Sequence, residues 1–405
     1  MTKRLYYNDT FLHEFEGAVD RVIPGERPAI VLDQTAFYPT SGGQVFDRGK
    51  LVTNGADVAI EQVEETENGE IVHYISPSDA TKVQPGQKVR GFIDTLRRHD
   101  HMQQHSGQHV LSGAFVKLFD MQTVSFHMGE ESCTIDLAAN KLTDDQLKQA
   151  EVLANRIVFE NRRVQIRFVP LDEAKQLGLR KLPEVGKEEL RLIEIADFDL
   201  CACGGTHVES TGQVGPIFVR KMEKVKQGFR VEFVAGDRAL KTARRDYETL
   251  SQAAAQYSGN IYEVPKLIEK SLDEIKSSAK TQHKMLEELA EFWAADLASN
   301  APATANYHLV KQLFSDRDIV FVKLLAQKLS RFEKLVALLG TSVGQPTLVF
   351  SRSADVDVDV SALLKEALAS VGGRGGGTKD LAQGGVPDAA QLTRLLDQIA
   401  DKLSA

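Results

Sequence analysis

The stretch RRHDHMQQHSGQHVLSGAF, residues 97–115, decides the fold of the middle of the chain. His105, His109 and Phe115 recur at helical spacing, which predicts a helix over residues 97–119. Side chains four residues apart lie on one face of a helix, roughly 5–6 Å apart between their β-carbons. His105 and His109 can therefore bind one ion together, and the helix carries half of a candidate metal site.

A second stretch, CGGTH, begins at Cys203 and repeats the four-residue spacing in a turn. Cys203 and His207 flank two glycines, which permit a tight turn that directs both side chains inward. Three imidazoles and one thiolate suit Zn²⁺, which takes nitrogen and sulfur ligands in a tetrahedron. Two neighbours compete by chemistry alone, because Cys201 could replace Cys203 and His101 continues the histidine face one turn earlier. The two stretches together predict a zinc site.

Length and composition describe a multidomain globular protein. The chain has 405 residues, of which 42% are hydrophobic and 26% charged, and this length exceeds one ordinary core. The first residues contain no apolar signal segment, and no apolar run reaches the ~18 residues of a membrane span. Three cysteines fit a reducing compartment, and Cys133 is expected in the core. We therefore expect a cytoplasmic protein without a membrane partner. Its net charge of −8 means that nucleic-acid contacts must come from local basic patches.

The chain divides into four predicted regions with an overall α+β multidomain fold. Residues 1–90 alternate β-branched and aromatic residues between turn signals, which predicts a small β-barrel. Residues 91–236 mix the histidine helix with short strands and one further helix, 143–160. Residues 237–300 are helical. Residues 306–405 have an α/β pattern, with IVFVKLL and PTLVFS as buried strands, a glycine-dense loop and a last amphipathic helix.

The helical region carries an apolar seam whose spacing alternates four and three residues over more than three heptads. The seam consists of Ile268, Leu272, Ile275, Ala279, Gln282, Leu286, Leu289 and Trp293. A helical hairpin that packs on itself and a homodimer formed through the helical or C-terminal region both satisfy this pattern.

The two metal-site stretches, RRHDHMQQHSGQHVLSGAF and DFDLCACGGTHV, resemble the editing domain of alanyl-tRNA synthetases and of their free-standing relatives, the AlaX proteins. Threonyl-tRNA synthetases carry a similar domain. The family pattern is H-x-x-x-H followed by a distant C-x-x-x-H, and all four residues bind zinc. The resemblance assigns these roles to His105, His109, Cys203 and His207. The chain departs from the pattern at Ser106–Gly107, where threonine–alanine is commoner, and both pairs are small.

Two other stretches extend the resemblance to nearly the whole chain. TAFYPTSGGQVFDRG, residues 35–49, resembles the glycine-rich loop of the family's N-terminal β domain. GGRGGGTKDLAQGG, residues 372–385, resembles the C-terminal DHHA1 domain of alanyl-tRNA synthetase. The order of these parts is that of the long AlaX form. No class II aminoacylation domain precedes residue 1, so the resemblance implies a chain that edits tRNA without charging it.

The implied activity is that of an aminoacyl-tRNA deacylase, which hydrolyses the ester joining serine, or in some cases glycine, to tRNA for alanine. A pocket built for alanine cannot strongly reject a side chain that differs by one methyl or one hydroxyl, so a second, hydrolytic site restores the discrimination. The zinc ion could activate water, polarise the carbonyl or orient the ester. Four protein ligands form a closed shell, which is typical of structural zinc, and the sequence leaves these roles open.

The same resemblance suggests further pocket residues beside the predicted catalytic residues Gln44, His105 and His109. Gly42 and Gly43 would let the backbone approach the tRNA terminus, with the Gln44 amide orienting a water, although an ordinary turn explains these residues equally well. The hairpin TVSFHMGEESCTIDL follows the histidine helix. Its Thr123, Ser125 or His127 could hydrogen-bond the hydroxyl of serine, and the sequence does not choose among them.

Contacts with tRNA are expected from basic clusters that flank the motif-bearing segments, because phosphate contacts supply affinity and register. The clusters are Lys88, Arg90, Arg97 and Arg98; then Lys175, Arg180, Lys181, Lys187 and Arg191; then Arg220, Lys221, Lys224, Lys226 and Arg230. In the tail, Arg374, Gly375 and Gly376 offer one guanidinium and exposed backbone N–H groups, which suit phosphate or folded RNA.

Three other classes of protein share some of these features. A zinc protease needs a glutamate directly after the first histidine of HExxH, and Ser106 stands there instead. A DHH-type phosphoesterase can carry a DHHA1 domain, but it needs an Asp-His-His motif that the chain does not show. A non-catalytic tRNA-binding adaptor with a structural zinc remains compatible with the sequence.

Overall fold

The computed structural model describes residues 2–177, 179 and 189–404. These residues divide into two compact units, one that ends at Gln252 and one that begins at Ala253. Three residues of the second basic cluster, Arg180, Lys181 and Lys187, lie outside the described residues. Within the described ranges, no helix combines the length and the apolar character needed to cross a bilayer.

The N-terminal part of the first unit is a closed antiparallel barrel of six strands, as the alternating sequence predicted. Its order is β2-β3-β7-β6-β5-β8, and a short parallel pair, β1 and β4, lies outside the barrel. Alternate apolar side chains point inward and fill the barrel, which is how a small barrel obtains a core. The strands are β1 (Lys3–Arg4), β2 (Glu14–Ile23), β3 (Ala29–Leu32), β4 (Gln34–Thr35), β5 (Gly49–Thr53), β6 (Ala56–Glu65), β7 (Ile71–Ile75) and β8 (Lys88–Ile93).

One titratable side chain, His73 on β7, is completely buried in this barrel. Its Nε2 lies 2.8 Å from the hydroxyl of Thr35, and its Nδ1 lies 3.2 Å from the carbonyl oxygen of Ile30. Burial lowers the pKa of His73 to about 4. An unfolded histidine titrates near pH ~6.5, so below that pH the unfolded chain gains a proton that the folded barrel excludes. The stability of the barrel therefore declines as the pH falls from ~6.5 toward the lowered pKa.

We expect His73 to cost the barrel about 2 kcal/mol of stability between pH 7 and pH 5, since one pKa unit corresponds to about 1.4 kcal/mol. Hydrogen exchange of the amides in β3 and β7 measures this locally. The matched control is His73→Gln, which keeps a polar side chain but does not titrate. The same loss of protection in the control and in the natural chain would contradict the assignment of this pH dependence to His73.

The rest of the first unit packs two antiparallel sheets, β14-β15-β10-β9 and β11-β12-β13, with the buried helix α1 (Thr95–Phe119). The carboxylate of Asp94 caps the start of α1 by accepting a hydrogen bond from the backbone N–H of Arg97, and Asp120 ends the helix with a left-handed φ of 54°. The other elements are β9 (Gln122–Met128), β10 (Cys133–Ala138), α2 (Asp144–Phe159), β11 (Val164–Pro170), α3 (Leu171–Ala174), β12 (Glu189–Ile195), β13 (Asp199–Ala202), β14 (Ile217–Val225), β15 (Gly228–Ala235) and α4 (Gly236–Gln256).

Helix α1 is buried at every position from His101 to Phe115, so its polar side chains need partners inside the protein. Gln104, for example, donates to the carbonyl of Ala235 at 2.9 Å and accepts from the N–H of the same residue at 2.9 Å. Cys133 lies in the surrounding apolar core, as predicted. The helix is thus held from all sides, which fixes the direction of its histidines.

The second unit contains a five-stranded sheet in the order β16-β17-β18-β20-β19, in which only the pair β16–β17 is parallel among the described strands. Its elements are α5 (Val264–Ser299), β16 (His308–Phe314), α6 (Ile319–Leu329), β17 (Leu335–Thr341), β18 (Thr347–Arg352), α7 (Val360–Ala369), β19 (Arg374–Gly377), β20 (Leu381–Gly385) and α8 (Leu392–Ser404). The segment PTLVFS forms β18, as predicted.

Two predictions for this unit were wrong. IVFVKLL is the start of α6 and not a strand, because Asp318 caps it by accepting from the backbone N–H of Phe321 at 2.9 Å. A short apolar run does not distinguish a buried strand from a buried helix. The glycine-dense segment is the β19–β20 hairpin and not a loop. A β-carbon on Gly375 would lie 2.4 Å from the Cα of Gly384, so the hairpin needs glycine to close.

The predicted seam lies on α5 and has two different surroundings. Leu286, Leu289 and Trp293 pack against the apolar core beside β16 and α6. In contrast, Leu272 and Ile275 are 61% and 65% exposed. A helical hairpin and a homodimer would each need another helix to pack against this exposed half of α5. Homodimerisation stays a prediction.

Candidate metal centre

The two predicted metal-site stretches meet in space. Helix α1 brings His105 and His109, and the turn that follows β13 brings Cys203 and His207. One ligand atom from each of the four side chains lies within 4.8 Å of the others. The Sγ of Cys203 is 3.4 Å from the Nε2 of His105 and 3.3 Å from the Nε2 of His207. All three imidazoles are buried. Such a cluster of three nitrogens and one sulfur has the composition of a tetrahedral zinc site.

The protonation state of His105 follows from the orientation of Gln44. The Oε1 of Gln44 accepts from the backbone N–H of Thr206 at 3.1 Å, which identifies this atom as the oxygen. The same oxygen lies 2.7 Å from the Nδ1 of His105, so Nδ1 carries the hydrogen. The Nε2 of His105 faces the Sγ of Cys203 at 3.4 Å. A hydrogen bond at the outer nitrogen fixes the ring of a metal-binding histidine in this way.

The other two histidines also have polar partners at Nδ1. The Nδ1 of His109 lies 3.5 Å from the carboxylate of Asp199 on β13. The Nδ1 of His207 lies 3.1 Å from the hydroxyl of Ser106, which also accepts from the N–H of Val208 at 3.2 Å. Carboxylate, hydroxyl and amide partners at the outer nitrogen fix the ring orientation of metal-binding histidines. The residues present therefore fit a metal ion in their outer partners as well as in their ligand atoms.

Charge inside the cluster favours the thiolate form of Cys203. Burial alone would raise the pKa of Cys203, but the neighbouring imidazoles of His105 and His207 and hydrogen bonds from His105 and His109 lower this pKa well below 9. Burial lowers the pKa of His207 well below 6.5, although Cys203 acts in the opposite direction. Burial would also lower the pKa of His109, but Asp199 and Cys203 raise it to about 10. Zinc requires a thiolate with neutral imidazoles, so its binding would release the proton of His109.

Close approach of the turn to α1 requires glycine at one position. A β-carbon on Gly205 would lie 2.1 Å from the Cε1 of His105 and 3.0 Å from the Oε1 of Gln44. No side chain fits at these distances. The second glycine of CGGTH thus allows Cys203 and His207 to reach the histidines of the helix.

A small open cavity of about 250 Å³ lies beside the cluster. The aromatic ring of Phe126 on β9 lies 5.3 Å from the ring of His105, between their centroids. The cavity is lined by Tyr38, Ser41, Gly42, His105, Gln108, His109, Thr123, Val124, Ser125, Phe126, Cys201, Ala202, Cys203, Gly204 and Gly205. Its volume falls below the ~300 Å³ at which drug-sized pockets begin, so it suits a group the size of an amino acid.

Comparisons with known proteins agree along the whole chain. Three family models match: tRNA synthetases class II (A) at residues 2–97, the threonyl and alanyl tRNA synthetase second additional domain at residues 190–231, and the DHHA1 domain at residues 318–405. The alanyl-tRNA editing protein AlaX-L of Pyrococcus horikoshii is 32% identical to this chain over 421 residues, which cover 100% of this chain and 98% of that protein. The chain belongs to the AlaX-L family of alanyl-tRNA editing proteins.

Larger proteins share the same region. The alanine–tRNA ligase of Pyrococcus abyssi is 33% identical over 411 residues, which are 99% of this chain and 44% of the ligase. This chain therefore spans less than half the length of the ligase. The crystal structure of the C-Ala domain of Aquifex aeolicus alanyl-tRNA synthetase matches 25% of this chain and 96% of that domain at 26% identity, with a TM-score of 0.22.

The structure separates the predicted cluster residues from their competitors. Cys203 belongs to the four-residue group, whereas Cys201 lines the cavity outside that group. His101 is buried elsewhere on α1, where burial lowers its pKa to about 4. The chain has Ser106 where threonine is commoner in the family. The hydroxyl of this serine contacts the Nδ1 of His207.

Gln44 is fully buried, and its Nε2 donates to the hydroxyl of Thr206 at 2.8 Å while its Oε1 accepts from Thr206 and His105. Gln44 therefore holds His105 in position, and its role in orienting a water stays a prediction. Gly42 lines the cavity. Gly43 has a φ of +86°, and a β-carbon there would meet the backbone of Phe126.

The structure also distinguishes the three polar residues of β9. A register shift at Asp136 and Leu137 pairs these residues with Ser125 and Thr123, so Val124 is the extra residue of a bulge. The hydroxyl of Thr123 donates to Ser112 at 2.7 Å, beside the cavity. Ser125 lines the cavity too, but its hydroxyl donates to the carboxylate of Asp136 at 2.7 Å. His127 is exposed and is not among the lining residues.

Two arginines predicted to contact tRNA are buried. Arg98 is completely buried and pairs with Asp47, so it cannot reach a phosphate. Arg191 is 8% exposed, and its guanidinium donates to the carbonyl oxygens of Cys203 at 2.6 Å and Tyr7 at 2.9 Å. Both guanidinium groups hold backbone segments of the site in place. The sequence alone shows that a side chain is positively charged but not whether it is buried.

Other predicted tRNA-contact residues remain at the surface. Arg97 is half-buried, and its Nε donates to the carbonyl of Phe46 at 3.0 Å. Arg374, Gly375 and Gly376 lie on β19 at the edge of its sheet, and Arg374 is exposed. Several surface cations have carboxylate partners: Lys175 with Asp172, Arg90 with Glu14, Arg220 with Asp246, Lys221 with Glu223 and Arg230 with Asp136.

Sequence reasoning missed Gln108, Asp199 and the ring of Phe126. Asp199 had a visible signal, because an acidic residue four positions before Cys203 alternates with Cys201 along one strand. Gln108 had a weaker signal as a polar residue between the two histidines of the predicted helix. Phe126 gave none, since an aromatic residue in a strand is ordinary core.

Proposed function

We propose that this protein is a zinc-dependent hydrolase that deacylates mischarged tRNA for alanine in trans. The observation that carries the proposal is the cluster of His105, His109, Cys203 and His207, with its three imidazoles buried, beside a cavity the size of an aminoacyl group. The family to which the chain belongs supports editing as the activity. Serine is the preferred wrong amino acid in this proposal, and glycine is the second.

The four clustered side chains would hold the zinc ion, which would polarise the ester carbonyl or lower the pKa of a bound water. The remaining contributions come from the chain itself. Gln44, Asp199 and Ser106 hold the outer nitrogens of the three imidazoles. Arg191 on β12 donates to the carbonyl of Cys203, which restrains the turn. The site is thus preorganised before the ester enters, which is the condition for efficient stabilisation of a transition state.

The tRNA would contact basic groups outside the cavity. The half-buried Arg97 lies at the start of the helix that carries the histidines, and in the second unit the exposed Arg374 lies on the glycine hairpin. Guanidinium groups supply salt-dependent affinity for phosphates without reading sequence. In the second unit we also include Gly375 and Gly376, because their backbone carries no side chain that would keep a phosphate away.

Incubation of the full chain with tRNA for alanine charged separately with serine, glycine and alanine tests the activity. We expect rapid loss of the seryl ester, slower loss of the glycyl ester, and an alanyl ester as stable as in buffer alone, because the alanyl ester must survive editing. The release of labelled amino acid over time measures all three. Equal stability of every ester with and without the protein would support the adaptor and would refute the hydrolase.

A phosphoesterase of the DHH type has no support from the described residues. Among them, the cluster described above is the group of three or more histidine, cysteine and carboxylate side chains that could bind a metal. A phosphoesterase needs a second, aspartate-rich group for two metal ions. The ester experiment therefore compares the hydrolase with the adaptor.

A further inference from the structure

The buried carboxamide of Gln108 has a position that the chemistry above does not use. Gln108 lies on α1 directly before His109, is 6% exposed, and lines the cavity beside the metal cluster. A carboxamide that is buried to this extent costs free energy unless its atoms find hydrogen-bond partners. Its surroundings therefore show what it can still bind.

One end of the Gln108 side chain is committed inside the protein. Its Nε2 donates to the hydroxyl oxygen of Ser112 at 2.8 Å. Thr123, across the cavity on β9, donates to the same oxygen at 2.7 Å. Ser112 is completely buried and does not line the cavity, so it holds Gln108 and Thr123 from below. The Nε2 of Gln108 and the hydroxyl hydrogen of Thr123 are thus both used. The lone pairs that stay free are those of the Gln108 Oε1 and the Thr123 Oγ1.

The Oε1 of Gln108 accepts no hydrogen bond from any residue in the described part of the chain. Two other hydroxyl groups around the cavity are committed elsewhere. The hydroxyl of Tyr38 donates to the carbonyl of Ser41 at 3.1 Å, and that of Ser125 donates to Asp136 at 2.7 Å. The cavity thus presents an uncharged acceptor, the Gln108 Oε1, on the same helix face as the two histidines. An acceptor of this kind suits a hydroxyl donor.

We propose that Gln108 is the specificity-determining residue of this site, and that its Oε1 accepts a hydrogen bond from the side-chain hydroxyl of a β-hydroxy amino acid ester. The inference rests on the proposed deacylase function and deepens it. A seryl ester satisfies the carboxamide. An alanyl ester places a methyl group there, which excludes water and leaves Oε1 without a donor. A glycyl ester leaves room for a water that restores the hydrogen bond.

The test replaces Gln108 by leucine, which has a similar volume but no carboxamide. We expect kcat/KM for the seryl ester to fall roughly 10- to 100-fold, as expected when a substrate hydroxyl loses its buried acceptor. The glycyl ester has no hydroxyl, so its kcat/KM should change less than ~3-fold. The ratio of the two substrates is the readout, because damage to folding or to the metal site would slow both equally.

Ser112→Ala provides a second variant outside the cavity wall. It removes the group that orients Gln108, so we expect the same ratio to fall in the same direction but by a smaller factor. Binding gives a readout without turnover. Calorimetric titration with adenosine carrying serine or glycine through a 3′-amide should show that Gln108→Leu weakens only the seryl compound.

The outcomes separate the inference from the function on which it rests. An equal loss for both esters, or an unchanged ratio, would overturn the role of Gln108 while leaving deacylation intact. If the natural chain hydrolyses neither ester, the deacylase function itself is wrong, and the assignment of Gln108 as its specificity residue is rejected with it. A selective loss for the seryl ester supports both.

Discussion

Cys203→Ala is expected to weaken zinc binding at least ~100-fold and to slow hydrolysis of the seryl ester by roughly 10³-fold or more. Cys203 is the one anionic ligand of the cluster, since its pKa is lowered while the neighbouring His207 is neutral. Its removal leaves three neutral imidazoles to hold a doubly charged ion in a buried site. The zinc content after dialysis against a chelator and the initial rate of deacylation measure the two effects.

Cys201→Ala is the matched control for this experiment. Cys201 is a thiol on β13, two residues before Cys203, and lines the same cavity, but it lies outside the four-residue group. We expect its variant to keep its zinc and most of its activity. The proposed centre would be rejected if Cys203→Ala retained full activity. If the two cysteine variants lost zinc equally, the ligand assignment would be wrong.

The metal cluster was predictable because its geometry is local. His105 and His109 are related by one helical turn, and Cys203 and His207 by one glycine turn, so each pair is determined by its own short sequence. Only the proximity of the two pairs to each other depends on the tertiary fold. The resemblance to the editing family supplied that step, and the described structure places the four ligand atoms together.

The barrel and the burial of Cys133 were predictable for a similar reason, because alternation along a strand shows which side chains point inward. The short run IVFVKLL was not predictable, because its residues suit a buried strand and a buried helix alike. The helix is stabilised by the hydrogen bond from Phe321 to Asp318 at its start and by the burial of its apolar side chains. The position of Thr123 was hidden too, since a bulge at Val124 changes which residues of β9 face the cavity.

The partners of the ligands could not be inferred from spacing. Gln44 reaches His105 from a position 61 residues earlier in the chain, and Ser106 reaches His207 across 101 residues. Contacts of this kind depend on how the barrel loop docks on α1. That docking depends in turn on a charged pair whose arginine the sequence led us to assign to tRNA.

This pair is Arg98 and Asp47, and both side chains are completely buried. The guanidinium of Arg98 bonds the carboxylate of Asp47 and also donates to the carbonyl oxygens of Thr10 at 2.8 Å and Ala36 at 2.7 Å. Asp47 in addition accepts from the N–H of Tyr38 at 2.6 Å. The pair thus joins α1 to three segments of the barrel region, including the loop that carries Gln44.

We expect Arg98→Met to lower the free energy of unfolding by about 3–5 kcal/mol, because the change leaves the carboxylate of Asp47 buried without its counter-ion. Asp47→Leu should cost a similar amount, since it leaves the guanidinium unpaired. The double variant should lose much less than the sum of the two single losses, because it leaves neither charge buried. Denaturant unfolding of the four chains, followed by a probe in the first unit, measures this coupling.

Arg97→Met is the matched control, because it changes the adjacent arginine, which is half-buried and has no buried carboxylate partner in the described structure. We expect its stability to stay within ~1 kcal/mol of the natural chain while its affinity for tRNA falls and becomes less salt-dependent. The neighbours then divide the roles that sequence alone could not separate: Arg98 holds the loop of Gln44 on the histidine helix, and Arg97 meets the tRNA. A folded Arg98→Met variant of normal stability with weakened tRNA binding would reverse this division.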